Sequence, residues 1–438
     1  MKLVRAQVFN FRSVEDSQAF DVSDLTCMVG KNEAGKSALL QALYGLQPYA
    51  KFSYDQTRDY PRRFLSRYGE RHPDGKSVVA RTWWKLDAED IETVSKQFGP
   101  NALTTDEFQA EFGFGFDTRI WTMPVNHRAC LDHMVHANAL DAIEQNSLKS
   151  ATTAAQAIAA LTALSQRSEE LEELLKELQE LRNQSFVSAV IDLLEMPKFF
   201  YTSHFDRMSG EISLNQLAHD KQHDRLSPGD RIFLDFLEYA GTTVEELQGA
   251  KKYEDLKAKC EAASNDITDE IFQFWSQNEA LEVKIELGEG KPQDLPPFNS
   301  GTVAKIRIEN RHHRASVPLS ERSAGFLWFF SFLAQFKQLK KTTGRAIMLL
   351  DEPGLTLHGK AQADLLRDSD RGHRGRISEP RCGRLRAGGG SAGADGAWHH
   401  DRRASKARES LRGGRILLAV PRHALHALGL QFPVRPVA

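Results

Sequence analysis

The sequence predicts an α/β fold with a mixed sheet and an inserted helical region, and three stretches of its 438 residues carry that expectation. Gly30-Lys31-Asn32-Glu33-Ala34-Gly35-Lys36-Ser37 matches the phosphate-binding pattern G-x-x-x-x-G-K-[ST]. It lies between a strand-like run, Leu25 to Val29, and a run of strong helix formers, Ala38 to Leu43. Far downstream, Arg345 leads into Ala346 to Leu350, a continuously apolar run that ends in Asp351-Glu352, the form of a strand buried on both faces. Between the two, Ala151 to Gln184 contains no Gly or Pro and reads as helix.

The chemistry follows from the loop. Two glycines let the backbone wind tightly, so that successive N–H groups and the following helix N-terminus point at a β-phosphate. Lys36 then reaches the β- and γ-phosphates, and the Ser37 hydroxyl is placed for Mg²⁺. Asp351, at the carboxyl end of its strand, is the second expected Mg²⁺ ligand, directly or through water. Glu352 is placed to orient or deprotonate the attacking water.

Composition excludes several classes. A content of 41% hydrophobic and 26% charged residues is ordinary for a soluble globular protein, and the length implies two or three domains or one domain with insertions. Cys27, Cys130, Cys260 and Cys382 lie far apart with no C-x-x-C pair, which argues against a zinc site or a disulfide framework and fits a reducing cytoplasm. Arg5, Gln7 and Asn10 interrupt any secretory signal, and the apolar stretch Phe326 to Phe336 is too short to span a bilayer, so no membrane partner is expected. The formal charge of −2 hides an imbalance: from residue 369 onward the net is +9, and before it −11.

Taken in order, residues 2–9, 18–22 and 25–29 read as three short strands leading into the loop, with Asn10-Phe11-Arg12-Ser13 as a turn. Residues 51–76 carry Arg58, Arg62, Arg63, Arg67, Arg71 and Lys76 among Phe52, Tyr54, Tyr60, Phe64 and Tyr68. They read either as a grip on nucleic-acid backbone or as a solvated loop with a few packed rings. Val78 to Leu86 and Thr118 to Val125 suggest strands. In Ala151 to Gln184, Leu164, Leu171 and Leu178 recur at heptad spacing, with Leu174 and Leu181 between them. Either a short coiled-coil-like hairpin projects from the core, or an amphipathic helix packs on it. Lys198 to Thr202 returns to strand. Gly229 to Tyr239 and Tyr253 to Glu279 read as helices, and Glu282 to Leu287, Val303 to Ile308 and Ala315 to Leu319 as late strands. Leu319-Ser320-Glu321-Arg322-Ser323-Ala324-Gly325-Phe326 precedes the apolar helix Leu327 to Leu339, so Ser323 either caps that helix or offers its hydroxyl to an anion.

In this order the elements resemble the ABC-type ATPase heads of the SMC and RecF class, and most closely the AAA-family ATP-binding proteins related to the OLD (overcoming lysogenisation defect) nucleases. The residues that carry the resemblance are Asn10 to Ser13, Gly30 to Ser37, Ser320 to Phe326, Asp351-Glu352 and Pro353 to His358. It implies a P-loop NTPase head using ATP and Mg²⁺, and an ATP-dependent homodimer in which Ser323 and Gly325 of one subunit meet the γ-phosphate held by Lys36 of the other. Arg12 matches the family's arginine near the nucleotide, and Pro353 to His358 its dimer-facing loop. Expected boundaries are an N-terminal lobe over 1–135, a mainly helical insertion over 136–280 with a returning strand near 198–202, and a C-terminal lobe over 281–368.

Residues 369–438 depart from that pattern. Eleven of the 30 glycines fall there, Lys is almost absent, and apolar character returns only at Ile416 to Val420. The tail reads as a nucleic-acid-binding segment, as a disordered one, or as the product of a reading-frame shift at Asp368. The expected last core strand, a switch histidine and a nuclease domain are not recognisable, so intrinsic nuclease activity is not expected. The functional expectation is an ATPase controlling DNA-related work in repair or phage defence. The alternatives are a DNA-binding clamp with negligible turnover or a truncated nucleotide-binding fragment, and DNA and a separate nuclease or effector chain are the candidate partners.

Overall fold

Alternation organises the first sheet. In the computed structural model, which describes residues 1–239, 241–249, 253–274, 280–342, 345–353, 415–421 and 435–436, β1 (Lys2–Phe11) turns Leu3, Ala6, Val8 and Phe11 inward. β2 (Val14–Asp16) and β3 (Phe20–Asp21) both pair with it, antiparallel. β4 (Leu25–Gly30) leaves this sheet for another. β5 (Ser77–Lys85), β6 (Glu107–Phe114) and β7 (Ile120–Thr122) complete an order β2-β1-β5-β6-β7. Sequence reading misses β6, whose Glu107, Gln109 and Glu111 interrupt an apolar signal, and extends β7 too far on both sides.

The site hangs on a parallel sheet. Its edge strand is β8 (Lys198–Ser203). β9 (Glu211–Ser213), β10 (Leu281–Glu289), β11 (Thr302–Asn310) and β12 (Ala315–Pro318) form a separate antiparallel sheet. β13 (Ala346–Asp351), β14 (Arg415–Pro421) and β15 (Arg435–Pro436) return to the parallel one, in the order β15-β4-β14-β13-β8.

Both faces of that sheet are covered, which explains the unbroken apolar run in β13. Ile347 and Leu349 join one core with Leu39, Leu40 and Leu43 of the helix α1 (Lys36–Tyr44), while Met348 and Leu350 join a second core with Phe329, Phe330 and Leu333 of the Ala324–Thr342 helix. At about 2 kcal/mol for each large apolar side chain removed from water, these two contacts fix where α1 and the Ala324–Thr342 helix sit; the latter is called the signature helix because Ser323 and Gly325 stand at its start.

Two expectations are corrected. Ala151 to Gln184 is not one helix but two, Ala154–Thr162 and Glu169–Glu180. Arg167 donates to the carbonyls of Leu161 and Leu164 at 3.2 Å each, and the Ser168 side chain caps the second helix. The heptad leucines Leu171, Leu174 and Leu178 are buried in the first core, so the seam is spent inward and does not project. The tail also contributes a core strand that its sequence does not announce: Arg415–Pro421 inserts between β4 and β13, with Leu417 wholly buried. Five apolar residues, Ile416 to Val420, suffice for a central parallel strand, yet in an Arg/Gly-rich context so short a run does not by itself mark one. The loop from Gly354 to His358 lies outside the described residues, as does Cys382.

Candidate nucleotide site

The carboxyl ends of the parallel strands converge on one edge, the place where open α/β sheets hold ligands. Register aligns Gly30 with Pro421, Ala419 with Asp351, and Asp351 with Ser203. Onto this edge the phosphate loop folds. Glu33 and Gly35 both take positive φ, 67° and 82°. A Cβ on Gly35 would lie 3.1 Å from Ser13 Oγ and 3.2 Å from Val14 Cγ2, so the loop is seated against the turn that follows β1. The first internal helical bond beyond it is Leu39 N–H to Gly35 C=O at 2.9 Å. Lys36, Ser37 and Ala38 therefore begin α1 with N–H groups directed out of its amino end.

Lys36 is 5% exposed, and its ammonium donates to the carbonyls of Gly30 at 3.2 Å and Lys31 at 2.9 Å. Among the described residues it has no acidic partner. A buried ammonium held only by neutral carbonyls is costly unless an anion joins it. Asn32 and Lys31 are exposed, Ala34 half-buried, and Ser37 faces outward at the start of α1.

The acidic end is the complement. Asp351 is 7% exposed; its Oδ2 accepts the Tyr201 hydroxyl at 2.9 Å, while its buried Oδ1 has no hydrogen-bond partner. Burial and the adjacent Asp351 carboxylate both raise the Tyr201 pKa, so the hydroxyl stays a donor. That hydroxyl also accepts Gln41 Nε2 at 2.9 Å, which ties the acid to the second turn of α1. Glu352 takes φ 51°, a left-handed conformation that turns its side chain away from the course of β13. Its carboxylate lies 3.7 Å from His204 Nδ1.

Arg12 joins the same network. It donates to Gln41 Oε1 and, through Nε and NH2 at 3.1 and 3.0 Å, to the wholly buried Asp59. Burial pushes the Asp59 carboxyl up, but donors from Arg58, the Asp55 N–H and Arg12 outweigh it and hold it below its ordinary value. The line Asp59–Arg12–Gln41–Tyr201–Asp351 thus connects the first sheet to the acidic end of the second.

The remaining sequence candidates separate. Ser323 Oγ accepts Phe326 N–H at 3.3 Å, so it caps the Ala324–Thr342 helix, and a hydroxyl that accepts retains a proton to donate. Gly325 is buried. Among the described residues no hydrogen bond or ion pair links Ser323 or Gly325 to the phosphate loop, and their helix packs on the sheet face opposite α1.

The aromatics of 51–76 face inward. Tyr60 and Tyr68 meet edge-to-face at 4.9 Å, and the Tyr54 hydroxyl donates to Ala42 C=O at 2.5 Å, in space that Gly45 leaves open. The arginines of that segment stay exposed. Gln41, Tyr201, His204 and Asp59 escape sequence reading because no motif contains them. Gln41 alone leaves a trace, one helical turn beyond Ser37.

Cys27, Cys130 and Cys260 are free thiols, raised by burial to about 11, 12 and 11. No helix among the described residues is long and apolar enough to cross a membrane.

Comparison with known families adds one match: a family model described as an AAA ATPase domain covers residues 1–110, from β1 through the phosphate loop and α1 into β6. Over that stretch the chain is similar to the nucleotide-binding part of an AAA ATPase domain. No curated protein matches the chain. Among solved structures, an SMC head bound to the C-terminal winged-helix domain of ScpA is 12% identical with a TM-score of 0.39, covering 98% of this chain and 92% of that one. An SMC head with an extended coiled coil bound to the C-terminal domain of ScpA from Pyrococcus furiosus is 11% identical with a TM-score of 0.34, covering 98% and 91%.

Proposed function

We propose that the chain binds ATP with Mg²⁺ at the carboxyl edge of the parallel sheet and hydrolyses it to ADP and phosphate. One observation carries this reading: a buried cation, Lys36, and a buried carboxylate oxygen, Asp351 Oδ1, face the same edge, and among the described residues neither has a charged partner. A phosphate chain with its metal satisfies both at once. Gly30 to Ser37 hold the β-phosphate with backbone N–H groups, and Lys36 moves from its carbonyls onto the γ-phosphate. Ser37 and Asp351 are the residues that would hold Mg²⁺, which when bound neutralises charge on the β- and γ-phosphates. Glu352 orients a water whose oxygen attacks the γ-phosphorus as the β–γ bridging bond breaks. The bonding pair leaves with ADP, and the water proton passes to Glu352.

The dimer belongs to the same reading. Ser323 and Gly325 sit at the amino end of a helix on the far face of the sheet from α1, so their route to a γ-phosphate is that of a second copy. Such a pair of heads, opened by hydrolysis, would act on DNA in repair or defence. Arg62 and Arg67, exposed and without acidic partners among the described residues, are the positive charges that reading needs.

The test is Glu352→Gln. Turnover falls at least about 100-fold while ATP affinity stays within roughly twofold, and the solution mass doubles only with Mg²⁺-ATP. Unchanged turnover would remove Glu352 from the mechanism; tight ATP binding without a mass change would remove the dimer and leave the half-site alone.

A further inference from the structure

The strand that flanks β13 ends in a loop that the nucleotide motifs do not include. Because Ser203 pairs with Asp351 in parallel register, the next residue along each strand places His204 beside Glu352. The His204 imidazole is 17% exposed and the Glu352 carboxylate 25%, with Nδ1 and Oε2 3.7 Å apart. Among the described residues this is the one ion-pair partner of Glu352.

The loop is held in place. Asp206 Oδ2 accepts both Ser203 N–H at 2.6 Å and Ser203 Oγ–H at 2.9 Å, and Arg207 Nε donates to His204 C=O at 3.2 Å. Two bonds fasten it to the signature helix: Trp328 Nε1 donates to Ser203 C=O at 2.8 Å, and Met208 N–H donates to Ser331 Oγ at 2.8 Å. Phe205, 78% exposed, lies against the imidazole with ring centroids 3.7 Å apart. Five bonds and a ring contact thus set the position of one imidazole, on a short loop that makes no use of it elsewhere.

We propose that His204 is a positioning residue for Glu352, orienting its carboxylate toward the attacking water through an N–H donated from the imidazole, and that the Trp328 and Ser331 anchors make this orientation depend on where the signature helix sits. The inference rests on the ATPase reading above. Glu352 needs such a partner because its left-handed backbone turns the carboxylate away from the course of β13, and a carboxylate misplaced by an ångström loses much of its effect on a bound nucleophile. Closing 3.7 Å to a hydrogen bond takes less than an ångström of motion, within reach of a helix shift transmitted through the two anchors.

The experiment is a double-mutant cycle in single-turnover ATP hydrolysis by the full chain, with ATP affinity measured alongside. His204→Ala slows hydrolysis about tenfold and leaves affinity within roughly twofold; His204→Asn, which keeps a donor, recovers part of the rate; and His204→Ala adds nothing in a Glu352→Gln background. Parental hydrolysis by His204→Ala, equal losses in the Ala and Asn variants, or a full tenfold loss in the Glu352→Gln background would each overturn it. Thermal unfolding of the three variants separates these outcomes from misfolding. The unaltered chain run in the same assay separates them from failure of the ATPase reading, because a parent that binds ATP without turning it over removes hydrolysis and the role of His204 together.

Discussion

The two halves of the candidate site are finished to different degrees. The phosphate loop is complete within itself: Gly35 is locked against Ser13 and Val14, and Lys36 is held by two carbonyls of its own loop. The acidic half is not, since among the described residues Asp351 Oδ1 has no hydrogen-bond partner and the one ion-pair partner of Glu352 is an imidazole at 3.7 Å. The difference separates tasks. A binding loop benefits from being built before its ligand arrives, because ordering it afterwards would be subtracted from affinity. In the ATPase proposed above, a hydrolytic end held slightly open would stay idle until phosphate, metal and partner helix come together, so that one half would govern affinity and the other rate.

The largest effect expected from this division is at Lys36. Lys36→Ala removes the one buried cation of the phosphate loop among the described residues and lowers ATP affinity by about two orders of magnitude, read by titration with a fluorescent nucleotide. Affinity within a few-fold of the parent would show that the backbone N–H groups suffice, and the loop would lose its primacy.

A smaller, purely kinetic effect belongs to Tyr201. Tyr201→Phe keeps the ring, which packs 5.9 Å from Tyr44, but strips Asp351 of its one hydrogen bond and Gln41 of its acceptor. Turnover drops about tenfold with affinity nearly unchanged. A loss in affinity instead would place Asp351 in the binding half.

The smallest effect is on stability and lies behind the site, where α1 gives way to Tyr49 and the signature helix presents Gln335. Asp235, between them on the Pro228–Tyr239 helix, accepts Gln335 Nε2 at 3.3 Å and the Tyr49 hydroxyl at 3.4 Å, and burial pushes its carboxyl up to about 6. A raised carboxyl binds its proton more tightly folded than unfolded, so its ionisation costs stability as pH rises from about 4 through 6. Asp235→Asn should therefore raise stability at pH 8 by up to about 2 kcal/mol and change little below pH 4, measured by denaturant unfolding at the two pH values. A loss at pH 8 would mean that the ionised carboxylate holds the two helices together.

Sequence alone delivers the skeleton of the site because its pieces are local. Gly30 to Ser37 and Asp351-Glu352 each carry their meaning within a few residues, and β4, α1 and β13 form where propensity and apolar runs place them. What escapes is whatever depends on register. Nothing in Lys198 to Ser203 announces that its pairing with β13 will bring Tyr201 under Asp351 and His204 beside Glu352. The heptad leucines mislead for a related reason, since Leu171, Leu174 and Leu178 mark an apolar helix face without saying whether the protein core or a second helix covers it. Ile416 to Ala419 shows the limit most plainly, a central strand whose place between β4 and β13 is fixed by partners far from it in the chain.

The most direct measurement is equilibrium binding of ATP to the unaltered chain, with Mg²⁺ and with Mg²⁺ chelated. If Lys36 and Asp351 await a metal-bound phosphate chain, ATP binds with micromolar-range affinity in Mg²⁺ and at least about tenfold more weakly without it. Absence of binding, or affinity indifferent to the metal, would contradict the joint assignment of the buried ammonium and the orphaned carboxylate oxygen to one ligand.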